Sequence, residues 1–159
     1  MAIPLSVSAQ AFIRAKVWAN FATLIKDGSP QVTPVWVDTD GQLIINTAEG
    51  RQKTRNIRRD GHVATCIMSA ESPYKYVLVR RKVKEVTTKD AEHHTNVLSH
   101  KYSGKDYPYS AGEVRVKVII EPTHVTERGL TWPRPAHRSH SGPNVPNLFP
   151  TLSGETANI

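Results

Sequence analysis

Polar and apolar residues alternate along several short stretches of the chain. In residues 75–86, Val77 and Val79 fall on one face of an extended chain. Arg80 and Lys82 fall on the other face, which is the period of two expected of a half-exposed β-strand. The same alternation, or a short apolar run bounded by turn residues, predicts six strands, over residues 20–26, 31–38, 42–47, 62–69, 75–86 and 113–125.

A spacing closer to the helical period occurs in two other stretches, residues 8–18 and 89–102. The first begins with a serine that can cap a helix. It then places four apolar residues at helical spacing, namely Ala11, Phe12, Ala15 and Trp18. A third short helix is predicted in the basic segment of residues 51–60.

The connections between the predicted strands indicate an antiparallel arrangement. Asp27-Gly28 and Asp40-Gly41 each separate two strands, and Asp-Gly is a strong hairpin signal. Parallel strands need long crossover connections, usually helices, and few helices are predicted. We therefore expect a mainly β fold, a closed or partly closed antiparallel barrel of six strands with a few short helices.

One globular domain is expected over residues 1–128, followed by a tail of residues 129–159. The tail contains five prolines and little alternation. A segment becomes ordered only when its contacts offset the entropy lost by fixing its backbone. We therefore expect Trp132 and the Leu148-Phe149 pair to dock on the barrel or on a dimer partner, near the mouth of the functional cleft.

Some classes of site and location are not expected from the sequence. No basic leader with an apolar run opens the chain, and no apolar stretch approaches the roughly 20 residues of a membrane helix, so the expected location is the cytoplasm. The single cysteine, Cys66, lies in an apolar run and is expected to be a small buried residue. The seven histidines lack further ligands at zinc spacing, so no metal site is expected.

Charge adds a preference for anionic partners. The chain has 21 Lys and Arg against 14 Asp and Glu, a formal charge of +7, and such a field attracts phosphates and other anions. Ten of the basic residues fall in two stretches, residues 51–59 and 75–84. The second stretch mixes cations with Tyr76, as single-strand-binding surfaces do. A basic nucleic-acid-binding barrel is therefore one alternative function.

The first basic stretch forms a turn with the pattern of a phosphate site. A predicted strand ends at Asn46 and Thr47, Gly50 allows the chain to turn, and a helix then begins with cations in its first turn. Cations there oppose the helix dipole, whereas a bound phosphate would accept bonds from both the cations and the free backbone N–H groups. The alternative is a solvated basic face, and the pattern alone leaves both open.

A second candidate is the stretch Thr33-Pro34-Val35-Trp36. Pro34 cannot donate a ladder hydrogen bond, so it marks a strand edge or an interruption. Beside a cleft, such an interruption leaves room for a planar ring to lie on the backbone. The alternative is that Val35 and Trp36 serve only as core and dimer-interface residues.

Several motifs in the same order carry a family resemblance. They lie in residues 21–24, 27–36, 50–60, 72–77 and 101–108. On these motifs the chain resembles the pyridoxamine-phosphate-oxidase-like split-barrel superfamily, and especially its branch of deazaflavin (coenzyme F420)-dependent reductases. The resemblance implies a six-stranded antiparallel split β-barrel with Greek-key connections, which forms a homodimer with the cofactor cleft between the subunits.

The resemblance also has a departure that bears on the cofactor. In the FMN-binding oxidases of the superfamily, the basic turn carries Ser-Arg-Lys. Here Lys53 matches the phosphate lysine, but Gln52 stands in the arginine position and Arg51 in the serine position. The extra cations Arg51 and Arg55 look more like the deazaflavin branch, whose cofactor bears further acidic groups.

The function that this resemblance implies is hydride transfer between F420 and a small organic substrate. An FMN-binding oxidase, reductase or cofactor carrier of the same fold is the main alternative. No catalytic acid or base is named by the sequence. The expected cofactor-binding residues are Pro34, Val35, Trp36, Asn46, Thr47, Gly50, Arg51, Gln52, Lys53 and Arg55.

Overall fold

The structure is a computed structural model that describes residues 2–130. This part of the chain contains three helices and nine strands. In chain order they are α1 (Val7–Arg14), β1 (Trp18–Leu24), β2 (Pro30–Val35), β3 (Val37–Thr39), β4 (Leu43–Ala48), α2 (Gln52–Arg59), β5 (His62–Met68), β6 (Tyr76–Lys82), β7 (Glu85–Thr87), α3 (Ala91–Ser103), β8 (Arg115–Ile120) and β9 (His124–Arg128).

The strands form two sheets in which every hydrogen-bonded pair is antiparallel. One sheet has five strands in the order β2-β1-β5-β6-β9, and the other has four in the order β3-β4-β8-β7. The prediction of a mainly β, antiparallel fold with a few short helices is confirmed. The two-sheet arrangement is consistent with a split barrel.

The predicted number of six strands is wrong for residues 2–130. Three of the predicted strands, residues 31–38, 75–86 and 113–125, each divide into two, as β2 and β3, β6 and β7, and β8 and β9. In each case the two halves belong to different sheets, so the chain crosses between the sheets at the break. Sequence alternation cannot reveal such a break, because each half keeps its apolar side toward the shared core.

Helix α1 also differs from its prediction. It spans Val7–Arg14 rather than residues 8–18, and its cap is Ser6, whose hydroxyl accepts a hydrogen bond from the Ala9 N–H at 3.0 Å. Its buried residues are Ala9, Phe12 and Ile13. Trp18 is not on the helix, because the chain is already extended at Ala15 and Trp18 begins β1.

The core fills the space between the inner faces of the two sheets. Phe21 and Ile67 come from the five-stranded sheet, and Ile45 and Val118 from the four-stranded sheet, and all four are fully buried. Helix α1 covers part of this core with Phe12 and Ile13. Helix α2 contacts β1 and adds Ile57 to the core, and helix α3 contacts β4 and β8. The end of β4 therefore lies between these helices and the sheet, beside the site described below.

Tyr102 anchors α3 to both sheets, which gives a testable stability effect. Its hydroxyl donates to the Val17 carbonyl at 2.6 Å and accepts from the Val37 N–H at 3.3 Å. We expect Tyr102→Phe to lower the free energy of unfolding by about 1–3 kcal/mol, because it leaves both buried backbone groups without their partner. Urea unfolding measures this, with Tyr74→Phe as the control, because Tyr74 is 81% exposed. Equal stabilities of the two variants would refute the anchor.

The tail begins with a close contact at Gly129. A Cβ there would lie 2.8 Å from the Tyr74 carbonyl oxygen, and the backbone φ is +64°, so only glycine fits without strain. Leu130 packs against the core. The predicted docking of Trp132 and of the Leu148-Phe149 pair lies outside the described residues. No helix in residues 2–130 is long and apolar enough to cross a membrane.

Candidate functional site

A cleft of about 290 Å³ lies where the chain crosses from β2 to β3, beside the end of β4 and the start of α2. It is lined by Trp18, Pro34, Val35, Trp36, Asn46, Arg51, Lys53, Tyr107 and Arg115. Six of these residues were expected from the sequence to bind a cofactor, namely Pro34, Val35, Trp36, Asn46, Arg51 and Lys53. The structure thus brings the two candidate stretches, residues 33–36 and the basic turn, together in one cleft.

The local geometry at Pro34 follows from its position in the sheet. Strand β2 is an edge strand of the five-stranded sheet. Within residues 2–130 it pairs with β1 alone, where Pro34 lies opposite Asn20. A proline is tolerated there because an edge strand need not donate on its free side. Trp36 follows at the break between β2 and β3, so both residues lie at the opening between the sheets.

Aromatic rings form one wall of the cleft. The Trp36 ring stacks on Tyr102 with centroids 5.3 Å apart, and Tyr107 meets Trp36 edge-on at 6.2 Å. Trp18, which is 46% exposed, also packs against Tyr102 at 5.3 Å. Offset and edge-on contacts of this kind hold the rings in fixed orientations. The wall can therefore receive a flat, apolar ring without rearranging.

The basic turn presents the start of α2 to the cleft. Gly50 has a φ of +77°, a left-handed conformation that makes the sharp turn possible. Arg51 occupies the N-cap position, but its side chain does not cap the helix. The first N–H groups of a helix lack partners within it, so a ligand can accept hydrogen bonds from them. The Thr54 hydroxyl donates to the Ala48 carbonyl at 2.6 Å and ties the helix to β4.

Three cationic side chains converge on the cleft, namely Arg51, Lys53 and Arg115. Glu113 is the carboxylate that faces them, at 2.6 Å from Arg115 and 3.4 Å from Arg51. Lys53 makes neither an ion pair nor a side-chain hydrogen bond to any residue in the range 2–130. Burial, together with the charges of Arg51 and Arg115, lowers the pKa of Lys53. The cleft is therefore electropositive and favours an anion.

Arg115 alternates with Val116 along its strand, a position that is commonly exposed to solvent, but here the side chain is buried. Its side chain is only 4% exposed. Its Nε and Nη2 donate to Asn46 Oδ1 at 2.9 and 2.6 Å, and Nη1 donates to Glu113. The Arg115 guanidinium also lies 4.9 Å from the centre of the Tyr107 ring. Its burial follows from these partners, and Asn46 lies on a distant strand that the pattern of residues 113–125 cannot reveal.

The other predicted residues lie around the cleft rather than on its lining. Thr47 is buried next to Asn46. Gln52 donates to Asn56 Oδ1 at 2.8 Å and lines a separate depression near Asp27. Arg55 is exposed and donates to the Gly50 carbonyl and to Gln52 Oε1. The structure therefore does not bring Gln52 and Arg55 to the cleft, although Arg55 stabilises the turn that shapes it.

Trp18, Tyr107 and Arg115 line the cleft but were not expected from the sequence. They come from three segments that are distant in sequence from the basic turn and from residues 33–36. Tyr107 lies within the motif of residues 101–108, which carried the family resemblance, so this motif was the one available signal. Trp18 and Arg115 had no such signal.

The second basic stretch lies elsewhere on the surface. Arg80, Arg81 and Lys82 line a depression of about 500 Å³ together with His62 and His124.

Cys66 is half-buried rather than fully buried, and burial raises the pKa of its thiol. Within residues 2–130, no three His, Cys, Asp or Glu side chains lie close enough together to hold a metal ion.

Known structures with similar folds agree with this architecture. A protein described as an F420 reductase is 28% identical to the chain, with a TM-score of 0.66, and the match covers 74% of this chain and 94% of that one. A conserved hypothetical protein from Mycobacterium tuberculosis is 20% identical, with a TM-score of 0.65 and coverage of 89% and 94%. General stress protein 26 from Bacillus anthracis is 12% identical, with a TM-score of 0.59 and coverage of 78% and 93%.

The family of the chain is shown by a match to one protein-family model. No functionally curated protein shows a significant sequence match to the chain. The family model described as pyridoxamine 5'-phosphate oxidase, however, matches residues 6–128, which include both sheets, all three helices and every residue that lines the cleft. The chain therefore belongs to the pyridoxamine 5'-phosphate oxidase family, and its fold is that of a family with flavin-type cofactors.

Proposed function

We propose that the cleft binds the deazaflavin F420 and that the protein is an F420-dependent oxidoreductase acting on a small organic substrate. The observation that carries this proposal is Lys53, a half-buried cation without a counter-ion in residues 2–130, beside Arg51, Arg115 and an aromatic wall. This combination suits a ligand with an anionic part and a flat ring. When bound, F420 supplies a two-electron carrier that accepts or donates hydride.

The phosphate of the cofactor fits the basic turn. Cations at a helix N-terminus are unfavourable by a few tenths to about 1 kcal/mol each, and a bound phosphate reverses the sign of this interaction. Lys53 and Arg51 can donate charge-assisted hydrogen bonds to it, and the first N–H groups of α2 can add backbone donors. The residues present at this turn therefore suit a phosphate group.

The ring of the cofactor fits the opening beside Pro34. Pro34 and Val35 provide a stretch of backbone at a sheet edge, and Trp36 closes the side of the cleft. These residues orient a planar ring and exclude water from one of its faces. The opposite face is then available to the substrate.

The charge of the cleft favours F420 over FMN. Arg51 replaces the serine of the FMN-binding turn, and Arg115 adds a second arginine, so the site suits a ligand with more than one acidic group. The F420 reductase at 28% identity supports the same choice. The alternative is an FMN-dependent oxidase or a cofactor carrier of the same fold, for which Lys53 would serve the same phosphate.

A homodimer would complete the cleft. The outer face of the five-stranded sheet carries a largely apolar row of cross-strand neighbours that includes one polar residue, Asn20. Its other members are Trp18, Ala22, Val32, Pro34, Ala64, Cys66, Met68, Tyr76 and Leu78. Trp18 and Pro34 belong to this row and also line the cleft, so the cleft opens onto the row. A largely apolar face at the surface is typical of an interface. A second copy seated there would cover both the face and the open side of the cleft.

Titration with F420 and FMN in parallel tests the choice of cofactor. Binding should quench the fluorescence of Trp18 and Trp36, because both line the cleft. We expect a dissociation constant for F420 at least about tenfold lower than that for FMN, which corresponds to about 1.4 kcal/mol. Tighter binding of FMN would favour the alternative, and the absence of binding by both would contradict the proposal.

The lowered pKa of Lys53 gives the site a distinctive pH dependence. The protonated form of Lys53 binds the phosphate, so affinity falls as pH rises through its pKa, and burial beside Arg51 and Arg115 moves that fall below pH 10.5, the ordinary lysine value. In Lys53→Arg the guanidinium stays protonated, so its affinity should remain level over the same range. Calorimetric titrations at several alkaline pH values compare the two proteins. Parallel curves would show that Lys53 does not contact the anion.

A further inference from the structure

A chain of hydrogen bonds runs beneath the cleft from His94 through Asn46 to Arg115. Nδ1 of His94 lies 3.2 Å from Nδ2 of Asn46, and the same Nδ2 donates to the Ala91 carbonyl at 2.8 Å. At the other end of the amide, Oδ1 accepts from Arg115 and also from the Thr95 hydroxyl at 2.9 Å. Both ends of the Asn46 amide are therefore fully used inside the protein.

The partners fix the orientation of the amide and the tautomer of the imidazole. Arg115 has only donors, so the Asn46 oxygen must face it and the amide nitrogen must face His94. Because Nδ2 is also a donor, Nδ1 of His94 has to be an acceptor. His94 is then neutral and carries its proton on Nε2, which points toward Asp38 Oδ2 at 3.8 Å. Nε2 is buried and has no hydrogen-bond partner in the described part of the chain.

We propose that Asn46 and His94 are positioning residues that hold the Arg115 guanidinium toward the cleft, and that protonation of His94 releases it. This inference rests on the proposed function, because Arg115 is one of the three cations assigned to the anion. It also changes the role expected for Asn46, which acts through Arg115 rather than on the ligand directly.

Protonation of His94 would break the chain for a geometric reason. A proton on Nδ1 would face the amide N–H of Asn46, so two donors would oppose each other. Rotation of the amide would relieve this conflict but would turn Nδ2 toward Arg115, where donors again oppose each other. The rotated amide therefore takes from Arg115 the acceptor that receives its Nε and Nη2, and this rotation is the step that releases the guanidinium.

The groups that face His94 favour its neutral form at neutral pH. Burial lowers the pKa of His94, and Lys117 on β8 and His93 on α3 act in the same direction. Asp38 on β3 and Asp40 in the following turn act in the opposite direction. The intact chain therefore exists at neutral pH and is disrupted in acid.

Nuclear magnetic resonance on the ligand-free protein tests the coupling directly. A hydrogen-bonded, buried Nε–H of Arg115 should give a resolved resonance at neutral pH. We expect that resonance to be lost as His94 titrates in the wild type. It should persist across the acid range in His94→Asn, whose Oδ1 can replace the Nδ1 acceptor and does not titrate. An Arg115 resonance that is unchanged while wild-type His94 titrates would overturn the proposal.

A second variant keeps the test decisive if His94→Asn does not fold. In Asn46→Asp, one carboxylate oxygen accepts from Arg115 and the other accepts from protonated His94, so the pKa of His94 should rise and the Arg115 resonance should persist in acid. Lys117→Met is the charge control, because Lys117 lies opposite Asn46 on β8 and the substitution removes this nearby cation but none of the hydrogen bonds of the Asn46 side chain. It should raise the pKa of His94 but retain the loss of the resonance. Loss of the resonance in Asn46→Asp at the pH where His94 titrates would also overturn the proposal.

Binding measurements give a separate readout for the ligand. We expect the F420 affinity of the wild type to fall about tenfold more between neutral and acid pH than that of His94→Asn, which is the effect of about one charge-assisted bond. Both proteins bind the same ligand, so the ratio of their affinities at each pH cancels any effect of protonation of the cofactor itself. If the wild type binds no F420, the proposed function fails, while the ligand-free spectra still decide the positioning role. If F420 binds but both proteins lose affinity equally, the positioning role fails alone.

Discussion

Replacing Lys53 by alanine is expected to weaken F420 binding by about ten- to a hundredfold while the protein stays folded. A charge-assisted hydrogen bond contributes about 1.5–3 kcal/mol, and Lys53 is free to give this energy to a ligand because it has no ion-pair partner in residues 2–130. The fold should not suffer, because the variant removes a cation whose charged form burial disfavours. Fluorescence titration measures the affinity, and circular dichroism with thermal unfolding measures the fold.

Two further variants test whether the loss of F420 affinity is specific to the position and geometry of Lys53. Lys53→Arg should recover part of the affinity, because it keeps the charge but changes the geometry of the donors. Lys82→Ala removes an exposed lysine from β6, outside the cleft, and should bind as the wild type does. Unchanged F420 affinity in folded Lys53→Ala would show that Lys53 does not bind the phosphate. Equal losses of affinity in Lys53→Ala and Lys82→Ala would show that only the net charge of the protein matters.

Placing a carboxylate on the outer face of the five-stranded sheet is expected to abolish both the dimer and cofactor binding. Val32 is 59% exposed in the single chain and lies opposite Ala22 on the edge strand of the apolar row. In a twofold dimer each substitution occurs once per subunit, so Val32→Asp would bury two charges without partners, and each such charge costs several kcal/mol. Sedimentation velocity should therefore show a dimer for the wild type and a monomer for Val32→Asp.

A matched control separates the interface from a general effect of the charge. Val97 on α3 is also exposed, at 43%, but does not belong to the apolar row. Val97→Asp should therefore remain a dimer and keep its affinity for F420. A wild-type monomer at micromolar concentration that still binds F420, or a Val32→Asp monomer with unchanged affinity, would contradict a cleft shared between subunits.

The sequence could predict the parts of the site that lie within one local stretch. The basic turn lies in one short connection between a strand and a helix and includes Gly50, Arg51 and Lys53. Its glycine and its cations could therefore be recognised together in the sequence. Pro34 was identifiable for a similar reason, because a proline in a strand restricts that strand to an edge. Both predictions rest on what a glycine or a proline does to the backbone locally. The structure places both stretches at the same cleft.

The remaining parts of the site depend on contacts between distant segments. Arg115 has the same pattern as an exposed strand arginine, and its burial is decided by Asn46 on β4 and Thr95 on α3. Trp18 has helical spacing with Ala11 and Ala15, although the chain has already become extended before it. The sequence also does not reveal where the long predicted strands divide. At each break the chain changes the strand with which it pairs, but polar and apolar residues continue to alternate.

The position of the cofactor phosphate tests the central proposal most directly. A crystal structure of the protein with bound F420 should show the phosphate within hydrogen-bond distance of Lys53 Nζ and the Arg51 guanidinium, at the first turn of α2. The ring should lie along Pro34 and Val35. A phosphate bound instead in the depression formed by Arg80, Lys82 and His124, with the cleft left to solvent, would contradict it.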